Sequence, residues 1–375
     1  MLIEIVPYQA DHIPEVLAFN ARLRAAGVDV AFEMRSLLRE TNAVPARSPG
    51  SGLFEESFLA VEGQAVRGGY ILQHQDFLLN GKVESIGLFR HPLSEGTTDR
   101  RYSLVGPRLL RDALRRQPLL HGAGIGGHDV AAARLLKTAG FAIVTVPFYF
   151  RVEHAARFLR EVRILRSSSL RRLAADVGAA TGIGAAGIGL VQRYRSGRSK
   201  PGRRVTARAF PSFEAWADAI WIASLSGIHF GAVRDHPVLA QLYDAPDNRF
   251  LKVLIEDAGE PCGWVVCLAT QSHDNKAFGD LKIGSIVDCL VRPGYEGVLI
   301  DAAVERLRQE DVDLIVTNQS LGAVGMALRG AGFLRGPSNF LLATAPMLTK
   351  HFSTLQSDLP RIHLNRGAGH TAANL

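Results

Sequence analysis

One plan of residues occurs twice in this chain, about two hundred positions apart, and it constrains the fold more than any other feature. The first copy runs from Val83 to Leu114 and the second from Gly284 to Leu307. In each, an apolar run reaches an arginine and a proline (Phe89, Arg90, His91, Pro92; Val291, Arg292, Pro293), and a polar, glycine-containing loop then opens an amphipathic helix. This spacing predicts a strand, a turn and a helix start. Short apolar strands follow at Pro118–Ala123 and Val312–Thr317, and each leads into a helix ending at the same tripeptide, Ala139-Gly140-Phe141 or Ala331-Gly332-Phe333. From Pro92 to Ala139 is 47 positions and from Pro293 to Ala331 is 38, so the first copy carries nine more residues, most simply placed before its helix. The pattern predicts two duplicated α/β domains.

Length agrees, since 375 residues exceed the roughly 250–300 at which a single core stops growing. The expected layout is a first domain over 1–152, a helical connector over 153–204, a second domain over 205–346 and a polar, mobile tail over 347–375. Within the domains, hairpins are expected over Phe58–Val61 with Gly68–Gln73 and over Phe250–Ile255 with Trp264–Ala269. Ala142–Val152 reads as a closing strand pair and Ser338–Leu342 as its counterpart, while a helix is expected over Glu33–Leu38. The connector concentrates charge: Arg151 to Arg208 holds fourteen Arg and Lys against three acids, a net +11 in a chain of net +7. That stretch is the expected contact for RNA or an anionic membrane surface. Inside it, Leu173–Gln192 is long enough to span a bilayer, but its glycines and alanines supply little transfer energy, so it reads as a packed or interfacial helix. Cys262, Cys267 and Cys289 have no ligand spacing, and the first residues lack an export pattern, so a cytoplasmic protein without a metal is expected.

The order of elements resembles the GCN5-related N-acetyltransferase (GNAT) superfamily, in tandem. Arg101-Tyr102-Ser103-Leu104-Val105-Gly106, followed by Leu109 and Leu110, is similar to that family's Gln/Arg-x-x-Gly-x-Gly/Ala pyrophosphate turn, with Leu104 in place of the first glycine. Asp129-x-x-Ala132-x-x-Leu135-Leu136-x-x-x-Gly140-Phe141 is similar to its Asn-x-x-Ala-x-x-Leu-Tyr-x-x-x-Gly-Phe helix, with Leu136 where the family's tyrosine often serves as general acid. In the second copy the turn shortens to Gly294-Tyr295-Glu296-Gly297, Leu328 holds the tyrosine position, and Asn318 comes three residues early. The resemblance implies two GNAT-like α/β domains, each a mixed central sheet flanked by helices. It also implies acetyl-CoA or another acyl-CoA as co-substrate, and a small-molecule or peptide amine as acceptor.

Carried over residue by residue, the resemblance places the coenzyme on Leu88, Phe89, Arg101, Leu104, Val105, Gly106, Pro107, Arg108 and Asp129. Backbone amides at the helix start would grip the pyrophosphate. An ordinary amphipathic helix with solvated arginines reads the same way. Glu84, on the same strand face as Ile86 and Leu88, is the candidate general base, and His91 lies near the same end of the sheet. In the second copy Asp288, Asn318 and Ser320 are candidates for holding the acceptor, or satisfied core polar groups. Two alternatives stay open on the same fold: an aminoacyl-tRNA-dependent peptidyltransferase of cell-wall synthesis, and a non-catalytic binding or scaffold protein. Walker, Gly-x-Ser-x-Gly and metal-spaced histidine motifs are absent from the sequence.

Overall fold

The computed structural model describes residues 3–28, 52–161, 205–245, 249–275 and 278–368. The helix expected over Glu33–Leu38 and the stretch Leu173–Gln192 lie outside them. The first half runs β1 (Glu4–Pro7), α1 (Ile13–Ala25), β2 (Phe54–Glu62), β3 (Ala65–Leu79), β4 (Lys82–Ser94), α2 (Val105–Arg116), β5 (Leu120–Ala123), α3 (Ala131–Thr138) and β6 (Ala142–Thr145), then β7 (Phe148–Val152) and α4 (Ala155–Glu161). The second half runs β8 (Val205–Ala209), α5 (Trp216–Ser224), β9 (Phe230–Ala232), α6 (His236–Tyr243), β10 (Leu251–Asp257), β11 (Glu260–Gln271), β12 (Lys282–Val291) and α7 (Glu296–Arg308). It continues with β13 (Leu314–Asn318), α8 (Gly322–Gly330), β14 (Leu334–Gly336) and β15 (Leu341–Thr344), and β16 (Ile362–His363) follows near the end.

Two mixed sheets result. The first is ordered β1-β2-β3-β4-β5-β15-β6 and the second β8-β10-β11-β12-β13-β7-β14, the same plan element for element. Along each of these seven-strand orders the one parallel pair is the fourth of six, β4 with β5 and β12 with β13; β9 and β16 lie off the first order. The identical tripeptides end their helices identically. Gly140 and Gly332 take φ of +83° and +84°, which glycine adopts without a Cβ penalty. Phe141 and Phe333 then donate to the carbonyls of Leu136 and Leu328 at 3.1 and 3.0 Å, closing matching helix C-caps.

Each sheet takes one strand from the other half of the sequence. The compact units are Met1–Thr145 with Asn339–Asp358, and Val146–Ser338 with Leu359–Leu375, where contiguous domains bounded at 152 and 346 were expected. Ala142–Val152 does not close on itself: β6 pairs with β15 and β7 with β13 and β14. The reason lies in Val146-Pro147. A two-residue hairpin needs positive φ at its central residues, which neither a β-branched residue nor proline supplies, so the chain runs on instead of folding back. As far as residue 368 the tail is likewise packed rather than mobile, because Phe352, Leu355, Leu359, Ile362 and Leu364 are all buried behind its polar composition.

In the first unit, α2 and α3 pack Val105, Leu109, Ala113 and Leu136 onto Tyr70, Leu72 and Phe89 of the sheet. The opposite face takes Val16, Phe19 and Leu23 of α1 against Leu59 and Ile71. In the second, α7 packs Leu299, Ile300, Ala303 and Leu307 onto Cys267, Ile286 and Cys289. Among the described residues no helix is long and apolar enough to cross a membrane. Of the connector's described arginines, Arg151, Arg157 and Arg208 pair with Glu153, Asp313 and Glu256.

Candidate active site

Both central parallel pairs part after a short run. β4 pairs with β5 only at Gly87 with Leu120 and Leu88 with His121; from Phe89 onward the β5-facing edge of β4 has no strand partner among the described residues. A buried side chain pins the point of parting, for His121 Nδ1 donates to the Gly87 carbonyl at 2.9 Å. Just beyond, β4 carries a bulge: Ile71 faces Arg90 and Gly69 faces Leu93, so Tyr70 is opposed by both His91 and Pro92. His91 takes a φ of +46°, which is uncommon for a residue other than glycine. The expected strand end at Arg90–Pro92 is therefore a bulge inside β4, whereas Arg292–Pro293 follows β12 as a turn.

Burial, and then the Arg90 charge, push the His91 imidazole down to about 4, so it is neutral at pH 7. His121 is pushed to about 4 by complete burial. Below its ordinary value near 6.5 an unfolded histidine binds a proton that folded His121 refuses until about 4, so stability should fall as pH drops across that window. At 1.36 kcal/mol per pH unit, His121 contributes up to about 3 kcal/mol of this loss, and His91 acts in the same direction. Urea midpoints at pH 7.5 and 4.5 measure it. A His121→Phe chain should be less stable at pH 7.5 yet show a shallower decline, and equal declines would assign the effect elsewhere.

The loop from β4 to α2 is held by charge. Glu95 is buried and accepts from Arg22 and Arg67 at 2.8 and 2.9 Å, and the Arg67 guanidinium lies over the Tyr102 ring. Asp99 caps the next turn by accepting from the Arg101 amide at 3.0 Å and also pairs with the Arg101 side chain. Loop amides of Gly96, Thr98, Asp99, Tyr102 and Ser103 are bonded within the loop. Among the described residues, the donors left without a bond at the helix start are Leu104, Val105 and Gly106, since the first turn of a helix has no partner four residues back and Pro107 has no N–H. No acid stands in this first turn.

At the matching start of α7 the charge is opposite. Glu296 occupies the first position, and its carboxylate accepts from the Gly294 amide at 2.9 Å. An anion that suits the start of α2 would be repelled there.

Of the sequence candidates, Leu104, Val105, Gly106, Pro107 and Arg108 stand at the start of α2, and His91 lies in the bulge three residues past the last β4–β5 pair. Val105 turns its side chain into the core, and Phe89 packs with Tyr70 under the helices. Leu88, buried, is the last paired residue of β4. Leu104 is exposed, Arg108 reaches the Ile3 carbonyl, and Asp129 sits exposed in the loop before α3. Glu84 is not brought there. It lies exposed at the beginning of β4, seven residues or roughly 23 Å of strand before His91, with neither burial nor proximity for a base.

Sequence reasoning passed over a polar group beside the bulge: Arg90 donates to Gln73 at 2.7 Å and pairs with Glu55. Its signal was present as Gln73-His74-Gln75-Asp76, four consecutive polar residues in the second half of β3.

The second unit does bring Asp288, Asn318 and Ser320 together, and the chain itself holds all three. Asp288 accepts from Arg234 and Tyr243 at 2.8 Å and from Asn365 at 2.7 Å, Asn318 accepts from Arg366 at 3.3 Å, and Ser320 donates to the carbonyls of Ile362 and Leu364. The cysteines are buried and free; burial pushes Cys267 up to about 12, and burial with Asp288 pushes Cys289 higher, so neither is a nucleophile. Among the described residues no group of three or more His, Cys, Asp or Glu could hold a metal ion.

This architecture is the tandem GNAT fold. A probable N-acyltransferase from Enterococcus faecalis matches with a TM-score of 0.53 at 9% identity, over 94% of this chain and 75% of that one. A GCN5-related N-acetyltransferase from Anabaena variabilis matches at 0.55 and 8% identity, over 92% and 73%. N-myristoyltransferase from Saccharomyces cerevisiae, solved with myristoyl-CoA and inhibitors, matches at 0.52 and 10% identity, over 92% and 80%. At such identities the fold is what is shared. No protein-family model and no curated protein sequence matches the chain.

Proposed function

We propose that the chain is an N-acyltransferase whose first unit binds an acyl-CoA, acetyl-CoA foremost, and passes the acyl group to an amine. The observation that carries this reading is the start of α2: three amides with no partner among the described residues and no acid in the first turn, with Arg100, Arg101 and Arg108 nearby, at the mouth of the parted β4 and β5. The amine attacks the thioester carbonyl, the C–N bond forms, the C–S bond breaks, and the thiol leaves with a proton. Amides on the unpaired edge of β4 beyond Leu88 are suited to the developing oxyanion. His91, neutral and weakly basic, is suited to orienting a hydrogen bond rather than taking the proton, so the amine should react in its neutral form.

Calorimetry with acetyl-CoA tests the reading directly, and the absence of binding would leave a non-catalytic binding protein as the better account. Gly106 makes the test specific. It has negative φ, and a Cβ there would meet only Leu135 at 3.6 Å, an ordinary contact, so nothing in the fold itself demands glycine. Gly106→Leu should therefore leave the fold intact while holding the pyrophosphate off the amides, weakening acetyl-CoA binding by ~100-fold or more, about 2.7 kcal/mol. Gly297→Leu, beside Glu296, should leave affinity unchanged. The reverse pattern would move the site to the second unit.

A further inference from the structure

The second unit also has parted strands, but the opening is filled. β12 pairs with β13 only from Ile283 to Ser285, and Thr317 Oγ1 then donates to the Ile286 carbonyl at 2.9 Å, much as His121 does in the first unit. Beyond that point the segment Ile362–Gly367 bonds to both walls. On the β12 side, Asn365 Nδ2 donates to Asp288 at 2.7 Å and His363 Nε2 to the Cys289 carbonyl at 2.9 Å. On the β13 side, the Leu364 amide donates to Ser320 Oγ at 2.9 Å, the Ser320 amide donates back to the Leu364 carbonyl at 3.1 Å, and Arg366 reaches Asn318. Ile362 and His363 pair in parallel with Phe230 and Gly231 of β9. Ile362, His363, Leu364 and Asn365 are buried to within 1% of full burial. Gly367 is seated so closely that a Cβ would meet Tyr243 and lie 2.8 Å from Asp288.

We propose that Ile362–Gly367 is a resident peptide ligand of the second opening, standing where the first unit leaves room for a coenzyme, so that the chain binds one coenzyme and not two. The second opening is thus a peptide cleft occupied in cis. Its polar lining is matched to a peptide backbone and an asparagine amide, and the start of α7 presents Glu296 where a pyrophosphate would have to lie. The coenzyme count, though not the occupancy of the cleft, rests on the function proposed above.

Hydrogen exchange followed by mass spectrometry on the full chain, with native mass spectrometry in acetyl-CoA, tests it. Peptides covering 362–367 should exchange at least ~100-fold more slowly than an unstructured chain and stay protected at saturating acetyl-CoA, with a single coenzyme bound. Asn365→Ala and Gly367→Leu should each speed exchange of that segment at least ~10-fold. Should Gly367→Leu fail to fold, Asn365→Ala, which leaves Asp288 paired with Arg234 and Tyr243, carries the test. Fast exchange in the wild-type chain, loss of protection on adding coenzyme, or two bound coenzymes would overturn the proposal. Protection with no coenzyme bound would uphold the occupied cleft and overturn the acyl-CoA reading alone.

Discussion

Asp288→Ala should cost about 3–5 kcal/mol of stability, because it strands the Arg234 charge inside the protein. Both side chains are fully buried, and Arg234 Nε lies 2.8 Å from Asp288. Arginine cannot neutralise itself by losing a proton. The change would also leave the Tyr243 hydroxyl and the Asn365 amide without their acceptor, each at a cost of about 1–3 kcal/mol if nothing relaxes. Burial alone would push the Asp288 carboxyl up, but Arg234, His363, Asn365 and Tyr243 together hold it below the usual range. Its contribution is therefore complete above the ordinary carboxylate value near 4 and is lost only as pH falls through a lower folded one. Urea denaturation at pH 7 measures the cost, and a loss under about 1 kcal/mol would mean that water reaches the pair. The double change Asp288→Leu with Arg234→Met, which removes both charges, should recover most of the stability.

A chain ending at Ser338 should fail to fold its first unit, although every residue of the contiguous stretch 1–152 is present. The missing strand is an interior one, since β15 pairs with β5 on one side and β6 on the other. It carries Leu341, Leu342 and Ala343 at 0% exposure, and Leu348 beyond it is equally buried. Three buried leucines at about 1.5–3 kcal/mol each, before any hydrogen bonds are counted, compare with a total of roughly 5–15 kcal/mol for a domain. Thermal and urea scans should show no cooperative transition for the first unit, and a synthetic peptide of residues 339–358 added in trans should restore one. A cooperative transition without the peptide would show that the first sheet closes some other way.

The duplication was legible because its markers are local: each Ala-Gly-Phe tripeptide ends a helix on a left-handed glycine followed by a buried phenylalanine. The exchange of strands was also written locally, in a Val146-Pro147 link that cannot turn, but a strand-rich sequence invites pairing between neighbours. The bulge is not legible because Pro92 ordinarily ends a strand, and a histidine, though commoner than most residues at positive φ, does not dictate one. Asp288, Asn318 and Ser320 stood out as polar groups at the ends of apolar strands. Their partners did not, since residues 362–366 lie more than forty positions away and read, by composition, as solvated tail. Glu84 shares a strand face with Ile86 and Leu88, yet face says nothing of position along the strand, and that is what separates it from the bulge.

The borrowed strand also sets a timetable for synthesis. When Thr145 leaves the ribosome, the first sheet has β5 and β6 but not the strand between them, and Leu341 follows about two hundred residues later. At roughly 5–20 residues per second the gap stands open for about 10–40 s, with two unpaired apolar edges facing the cell. Translation speed through the second half, and whatever shields the nascent chain meanwhile, thereby govern the yield of a first half whose own codons were read long before.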